Sequence, residues 1–201
     1  MPFSGLPIEF DKLMKTAKGF KKKHRKVFDV ILYGSTIKGK EKPNDFDFMI
    51  LLRGAKESER FDLAFEFKEK LLDLRFPHEK LDVKAINLES LFDPNYLATP
   101  GIIIEGFSLT KGKSIHELMN GESYSLFNIN VQRLDKNRRK KFNYALKGRD
   151  GKGGIIKELN GNYLGPWVIL IPIENTYRFK DFLEYWEVEF ESYLMFGVKS
   201  L

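Results

Sequence analysis

Tyr33-Gly34-Ser35-Thr36-Ile37-Lys38-Gly39-Lys40-Glu41-Lys42-Pro43-Asn44-Asp45-Phe46-Asp47-Phe48 is the stretch on which the fold turns. It follows the apolar run Val27 to Tyr33, broken only by Asp29, and leads into Met49-Ile50-Leu51-Leu52. Both flanks read as buried strands, and the glycines, lysines and Pro43 between them mark a turn. On a strand, Asp45 and Asp47 share one face while Phe46 and Phe48 share the other. Two carboxylates a few ångströms apart raise each other's pKa unless a cation lies between them. Oxygen ligands of this kind suit Mg²⁺ or Mn²⁺. The Gly34-Ser35 turn offers backbone N–H groups to phosphate oxygens. The alternative is structural: Asp45 capping a strand and Asp47 solvated on an edge. Ile50-Leu51-Leu52 speaks against it, because a buried strand does not normally carry two carboxylates on one face without a partner.

Gly34-Ser35, Lys38-Gly39 and Pro43-Asn44-Asp45-Phe46-Asp47 follow one another with nine residues between Ser35 and Asp45. This pattern resembles the signature of the nucleotidyltransferase superfamily that includes DNA polymerase beta, and within it the minimal nucleotidyltransferases. The resemblance covers residues 8 to 110 or so. It implies an α+β fold, a polymerase-beta-like core of mixed β-sheet flanked by helices. It also implies an enzyme that transfers NMP from an NTP to an acceptor hydroxyl by a two-metal mechanism, releasing pyrophosphate. Gly34, Ser35 and Lys38 would then bind the nucleotide, and Asp45, Asp47 and a third carboxylate would ligate the metal. The family more often has arginine where this chain has Lys38, a change that keeps the charge and loses the planar fork.

In the superfamily the third carboxylate lies on a neighbouring strand after a helix. Residues 57–75 read as that helix, with Phe61, Ala64, Phe65, Lys68, Leu71 and Leu72 on one face, and 81–86 as the strand. Leu81, Val83 and Ala85 face one way there, Asp82 and Lys84 the other, so Asp82 takes the position. Asp73, on a helix, and Asp93, in a turn with a proline, look like surface residues. Asp82 could instead simply pair with Lys84. A helix from Pro7 to Lys23 precedes the first strand. A further strand is expected over 102–109, containing the Glu105-Gly106 step with which minimal nucleotidyltransferases close their sheet. Gly112-Lys113-Ser114 resembles the end of a P-loop, but Gly106 is one residue too far away and no suitable loop follows.

Residues 121–124 read as a linker, dividing a domain over 1–120 from a small α+β module over 121–201. Within the module, strands are expected over 127–131, 167–173 and 188–196, and helices over 135–147, 155–159 and 179–185. The net charge of +6 favours a polyanionic partner. Lys136, Arg138, Arg139, Lys140 and Lys141 on the basic helix could hold a nucleic-acid backbone, with Arg149 and Lys152 of the glycine-rich run 148–154. Phe142, Tyr144 and Tyr163 are the candidate stacking surfaces, though at helical spacing aromatics more often belong to a core.

The chain has no cysteine and three histidines, which excludes disulfides, thiol chemistry and the usual zinc sites. No apolar run is long enough for a membrane span and residues 1–26 are too charged for a secretory signal, so a cytoplasmic location is expected. The acceptor is not written in these residues; RNA, a protein hydroxyl and a small molecule all fit. A nucleic-acid-binding or antitoxin-type regulatory protein on a nucleotidyltransferase fold is the alternative to an enzyme.

Overall fold

The apolar runs on either side of the Gly-Ser turn pair with each other. The computed structural model describes residues 6–93, 95–96, 98–149 and 152–198. In it, β1 (Val27–Tyr33) and β2 (Phe46–Leu52) lie antiparallel, with Ile31 opposite Met49 and Tyr33 opposite Asp47. β3 (Leu81–Asn87) joins β2 in parallel, from Phe46 beside Leu81 to Leu52 beside Asn87. Parallel pairing needs a crossover, and α2 (Glu57–Asp73) supplies it. β4 (Phe107–Ser108) and β5 (Lys113–Ser114) extend the other side, giving the order β3-β2-β1-β4-β5.

Strand alternation sorts the side chains of this mixed sheet onto two faces. Val30, Leu32, Phe46, Phe48, Ile50 and Leu52 form one core with α2 and with α1 (Phe10–Lys23), which contributes Leu13, Ala17 and Phe20. Ile31, Met49, Leu51 and Ile86 form the other with Ile102 of α3 (Thr99–Glu105), and Ile115 at the start of α4 (Ile115–Leu118) packs against them. No described helix is long and apolar enough to cross a membrane.

Three local expectations give way to packing. The first concerns α2, which buries Phe67 and Leu71 and leaves Phe61 69% and Phe65 66% exposed. Phe65 and Phe67 lie about 200° apart on a helix, so they cannot both face the core. Phe67 meets Phe20 and Phe48, at ring centroid distances of 5.0 and 6.0 Å, and its stripe prevails. Secondly, the strand expected over 102–109 is a helix as far as Glu105, followed by the two residues of β4. Pro100 suits a first helical turn, and a Cβ at Gly106 would collide with the Ile102 carbonyl. Thirdly, residues 121–124 are not a linker but the start of a strand, β6 (Gly121–Asn130). Inward-facing Ser123 and Ser125 disguise its alternation; the Ser125 hydroxyl is buried 2.7 Å from that of Thr176.

The chain divides into two compact units, Met1–Asn120 and Gly121–Leu201. In the second, β9 (Asn162–Gly165), β10 (Val168–Pro172) and β11 (Glu189–Val198) join β6 in an antiparallel sheet of order β11-β6-β10-β9. Phe127, Ile129, Ile169 and Ile171 share a core with Phe142 and Leu146 of α5 (Lys136–Lys147), Ile156 of α6 (Ile155–Glu158), and Phe179 and Leu183 of α7 (Thr176–Tyr185). The glycine-rich run carries a two-residue ladder, β7 (Gly148–Arg149) with β8 (Lys152–Gly153). Asp150, Gly151 and the side chain of Lys152 lie outside the described residues.

Phe67→Ala should destabilise the protein by about 3–5 kcal/mol, since it empties a fully enclosed ring site. Phe61→Ala should change stability by no more than about 0.5 kcal/mol. Urea unfolding of both variants checks this; equal losses would mean that Phe61 packs as fully as Phe67.

Candidate active site

The site grows from the turn at the end of β1. Gly34 has φ +84°, a left-handed conformation that favours glycine, and opens a single 3₁₀ turn over Gly34–Thr36. A second reason for glycine is spatial: a Cβ here would lie 2.5 Å from Oδ2 of Asp47. The missing side chain therefore lets the turn close down on the carboxylate. The turn is tied by the Gly34 carbonyl, which accepts from Ile37 N at 3.2 Å. The hydroxyls of Ser35 and Thr36 are both buried there without a hydrogen-bond partner. Buried orphan hydroxyls are costly, and their presence at a turn beside a carboxylate points to a polar ligand.

Asp47 is the centre of the acidic group. It lies opposite Tyr33 on β1 and beside Asp82 on β3, so three polar side chains share one face at one end of the sheet. Asp45 lies just before β2 rather than on it, and is exposed. Burial, reinforced by the charges of Asp45 and Asp82, pushes the Asp47 carboxyl up to about 6. Burial and the same acids, Asp47 foremost, hold the Tyr33 phenol well above its ordinary value.

Two cations offset this charge. Lys84 Nζ donates to Asp82 at 2.6 Å, and this bond raises the pKa of the ammonium. The Asp82–Lys84 pairing considered from the strand alternation is thus formed. Lys38 Nζ donates to Glu105 at 2.9 Å, with the carboxylate side chain only 6% exposed. Lys38 therefore reaches a carboxylate at the end of α3 rather than standing open to a phosphate. Glu105 also raises the Asp47 pKa, which places its charge at the acidic centre. The sequence marks Glu105 only through its step with Gly106 and gives it no part in this centre, because it is 67 residues from Lys38. Tyr96 was also missed; burial raises its pKa, and Lys84 and Asp82 act on it in opposite directions.

Residues 15–105 match the Polymerase beta, Nucleotidyltransferase family. These residues form a nucleotidyltransferase domain of the polymerase beta type. Among curated proteins the chain finds no match. The domain contains Gly34, Ser35, Lys38, Asp45, Asp47, Asp82 and Glu105, and the match leaves residues 121–201 outside it.

Among the described residues, no three His, Cys, Asp or Glu side chains are grouped closely enough to hold a metal ion. The three aspartates of the nucleotidyltransferase domain are neighbours, with Asp82 engaged by Lys84. The donor set nonetheless fits a hard divalent cation: it is all oxygen, and burial together with the neighbouring carboxylates already raises Asp47.

Asp47 should weaken the fold once ionised. Its folded pKa of about 6 lies above the ordinary 3.8, so the folded state binds more protons between these values. Stability then falls as pH rises through that window. Without divalent cations, Asp47→Asn should be more stable than wild type at pH 7 by about 1–2 kcal/mol, a figure reduced for solvent screening. Thermal melts of both proteins between pH 4 and 7.5 should show the gap opening with pH; a gap independent of pH would contradict this origin.

Proposed function

We propose that the chain is a divalent-metal-dependent nucleotidyltransferase, moving NMP from an NTP to an acceptor hydroxyl on RNA or protein. The observation that carries this reading is the closure of Gly34 onto Asp47 beside Asp82, with buried, unpartnered hydroxyls at Ser35 and Thr36. Asp45, Asp47 and Asp82 would hold Mg²⁺ or Mn²⁺. When bound, the ion neutralises phosphate charge and makes a hydroxyl more acidic. Gly34 N–H and Ser35 Oγ receive the β- and γ-phosphate oxygens. Lys38 keeps Glu105 compensated at the edge of this site.

The acceptor oxygen attacks the α-phosphorus in line. The bond from that phosphorus to the bridging oxygen breaks, and pyrophosphate leaves. Asp82 takes the hydroxyl proton, which requires Lys84 to release it. Most of the catalysis is positioning and charge compensation, as in phosphoryl transfer generally.

The Lys84–Asp82 bond favours a second reading. A fixed ammonium on the third carboxylate suits a regulatory or nucleic-acid-binding protein that holds nucleotide without transferring it. Label transfer from α-³²P-NTPs into total RNA or total protein, with Mg²⁺ or Mn²⁺, separates the two. The proposal expects label in one pool, reduced at least about 100-fold by Asp45→Asn/Asp47→Asn. NTP binding with no transfer to either pool would support the second reading.

A further inference from the structure

We infer that the second unit carries a binding site for single-stranded nucleic acid, built on the solvent face of α5 and the neighbouring Tyr163. Between residues 133 and 149 the chain has eight basic residues and one acid, Asp135. That acid is occupied in capping α5, where it accepts from the backbone N–H of Asn137 and Arg138. The basic residues do not act as one patch. Arg138 is bound to Glu187 at 2.6 Å and to the Trp186 carbonyl, and Arg139 to the Val131 carbonyl at 3.0 Å. Phe142 is fully buried, which removes it as a stacking surface.

What remains is ordered. Lys136, Lys140, Tyr144 and Lys147 follow at intervals of four, four and three residues, which places them on one stripe of the helix. The stripe lies away from the buried Phe142 and Leu146 and is about 16 Å long at 1.5 Å per residue. Among the described residues, Lys136, Lys140 and Lys147 have no carboxylate partner. Lys147 Nζ instead lies 3.6 Å from the ring centroid of Tyr163, and Lys140 and Arg149 lie 5.9 and 4.9 Å from that of Tyr144. Tyr163 is 39% exposed.

A positive charge thus lies over a face of each tyrosine ring. Ammonium and guanidinium groups neutralise phosphates, and an aromatic ring stacks on an unpaired base of any sequence. Duplex nucleic acid hides its base faces and would leave the rings unused. An acidic peptide would answer the charge and ignore the rings. The site stands whether or not the acidic centre of the first unit transfers nucleotides.

Fluorescence anisotropy of labelled oligouridylate and oligoadenylate, on the full chain without NTP or divalent cation, tests it. A duplex of equal length and polyglutamate serve as competitors. Both single strands should bind more tightly than either competitor. Tyr163→Leu should weaken binding roughly 5- to 100-fold and leave the salt dependence unchanged. Tyr163→Phe should retain affinity. Lys140→Gln/Lys147→Gln should instead flatten the slope of log K against log salt by about 1.4. Circular dichroism melts verify that each variant is folded. Equal affinity for duplex or polyglutamate, or wild-type affinity in folded Tyr163→Leu, would overturn the inference.

Discussion

Asp47 and Asp82 are held side by side by a parallel strand pair whose β2 is packed on both faces. Phe46 and Phe48, on either side of Asp47, are fixed edge-on against Phe76 at 5.1 and 5.8 Å. Their burial anchors β2 from one face, while Met49 and Leu51 anchor it from the other. Apolar packing on both faces thus balances an electrostatic cost concentrated at one end of the sheet. Gly34 belongs to the same constraint, because the turn closes only where no Cβ meets the Asp47 carboxylate.

Asp29 makes a useful contrast. It is the most buried aspartate of the first sheet, at 1% exposure, and faces the same side as Ile31 and Tyr33. Yet its carboxylate is satisfied: Ser108, Thr110 and the Val30 N–H donate to it at 2.6–2.9 Å, and Lys111 lies 3.7 Å away. Apart from Val30, those partners come from β4 and the residues just after it, so the network fastens β1 to the sheet's short side. A buried carboxylate with all its acceptors filled is structural. Asp47, by comparison, sits among carboxylates, and the hydroxyls beside it lack partners.

The second unit has its own aromatic core around Phe127, Phe142 and Phe179, and its polar features are of another kind. Lys140 and Lys147 lie over tyrosine rings there, whereas Lys38 and Lys84 at the acidic centre of the first unit pair with carboxylates. That difference separates a site that gathers negative charge from a surface that offers positive charge.

Much of the nucleotidyltransferase domain was legible in the chain. Gly34-Ser35, the spacing to Asp45 and Asp47, and the alternation around Asp82 are local patterns, and strand periodicity carries Asp47 and Asp82 into register, while Asp45 falls just before its strand. The same holds for α5, whose Asp135 cap and basic run lie together in sequence. Contacts made over long separations could not be read this way. The bond from Lys38 to Glu105 needs α3 to be a helix, and the isoleucine run favoured a strand until Ile102 found a place against Ile31 and Met49. Which stripe of α2 faces inward depended on where Phe20 and Phe48 already stood. Periodicity names the residues that can share a face; only the packed partner decides which face is buried, because burial is a property of both surfaces together.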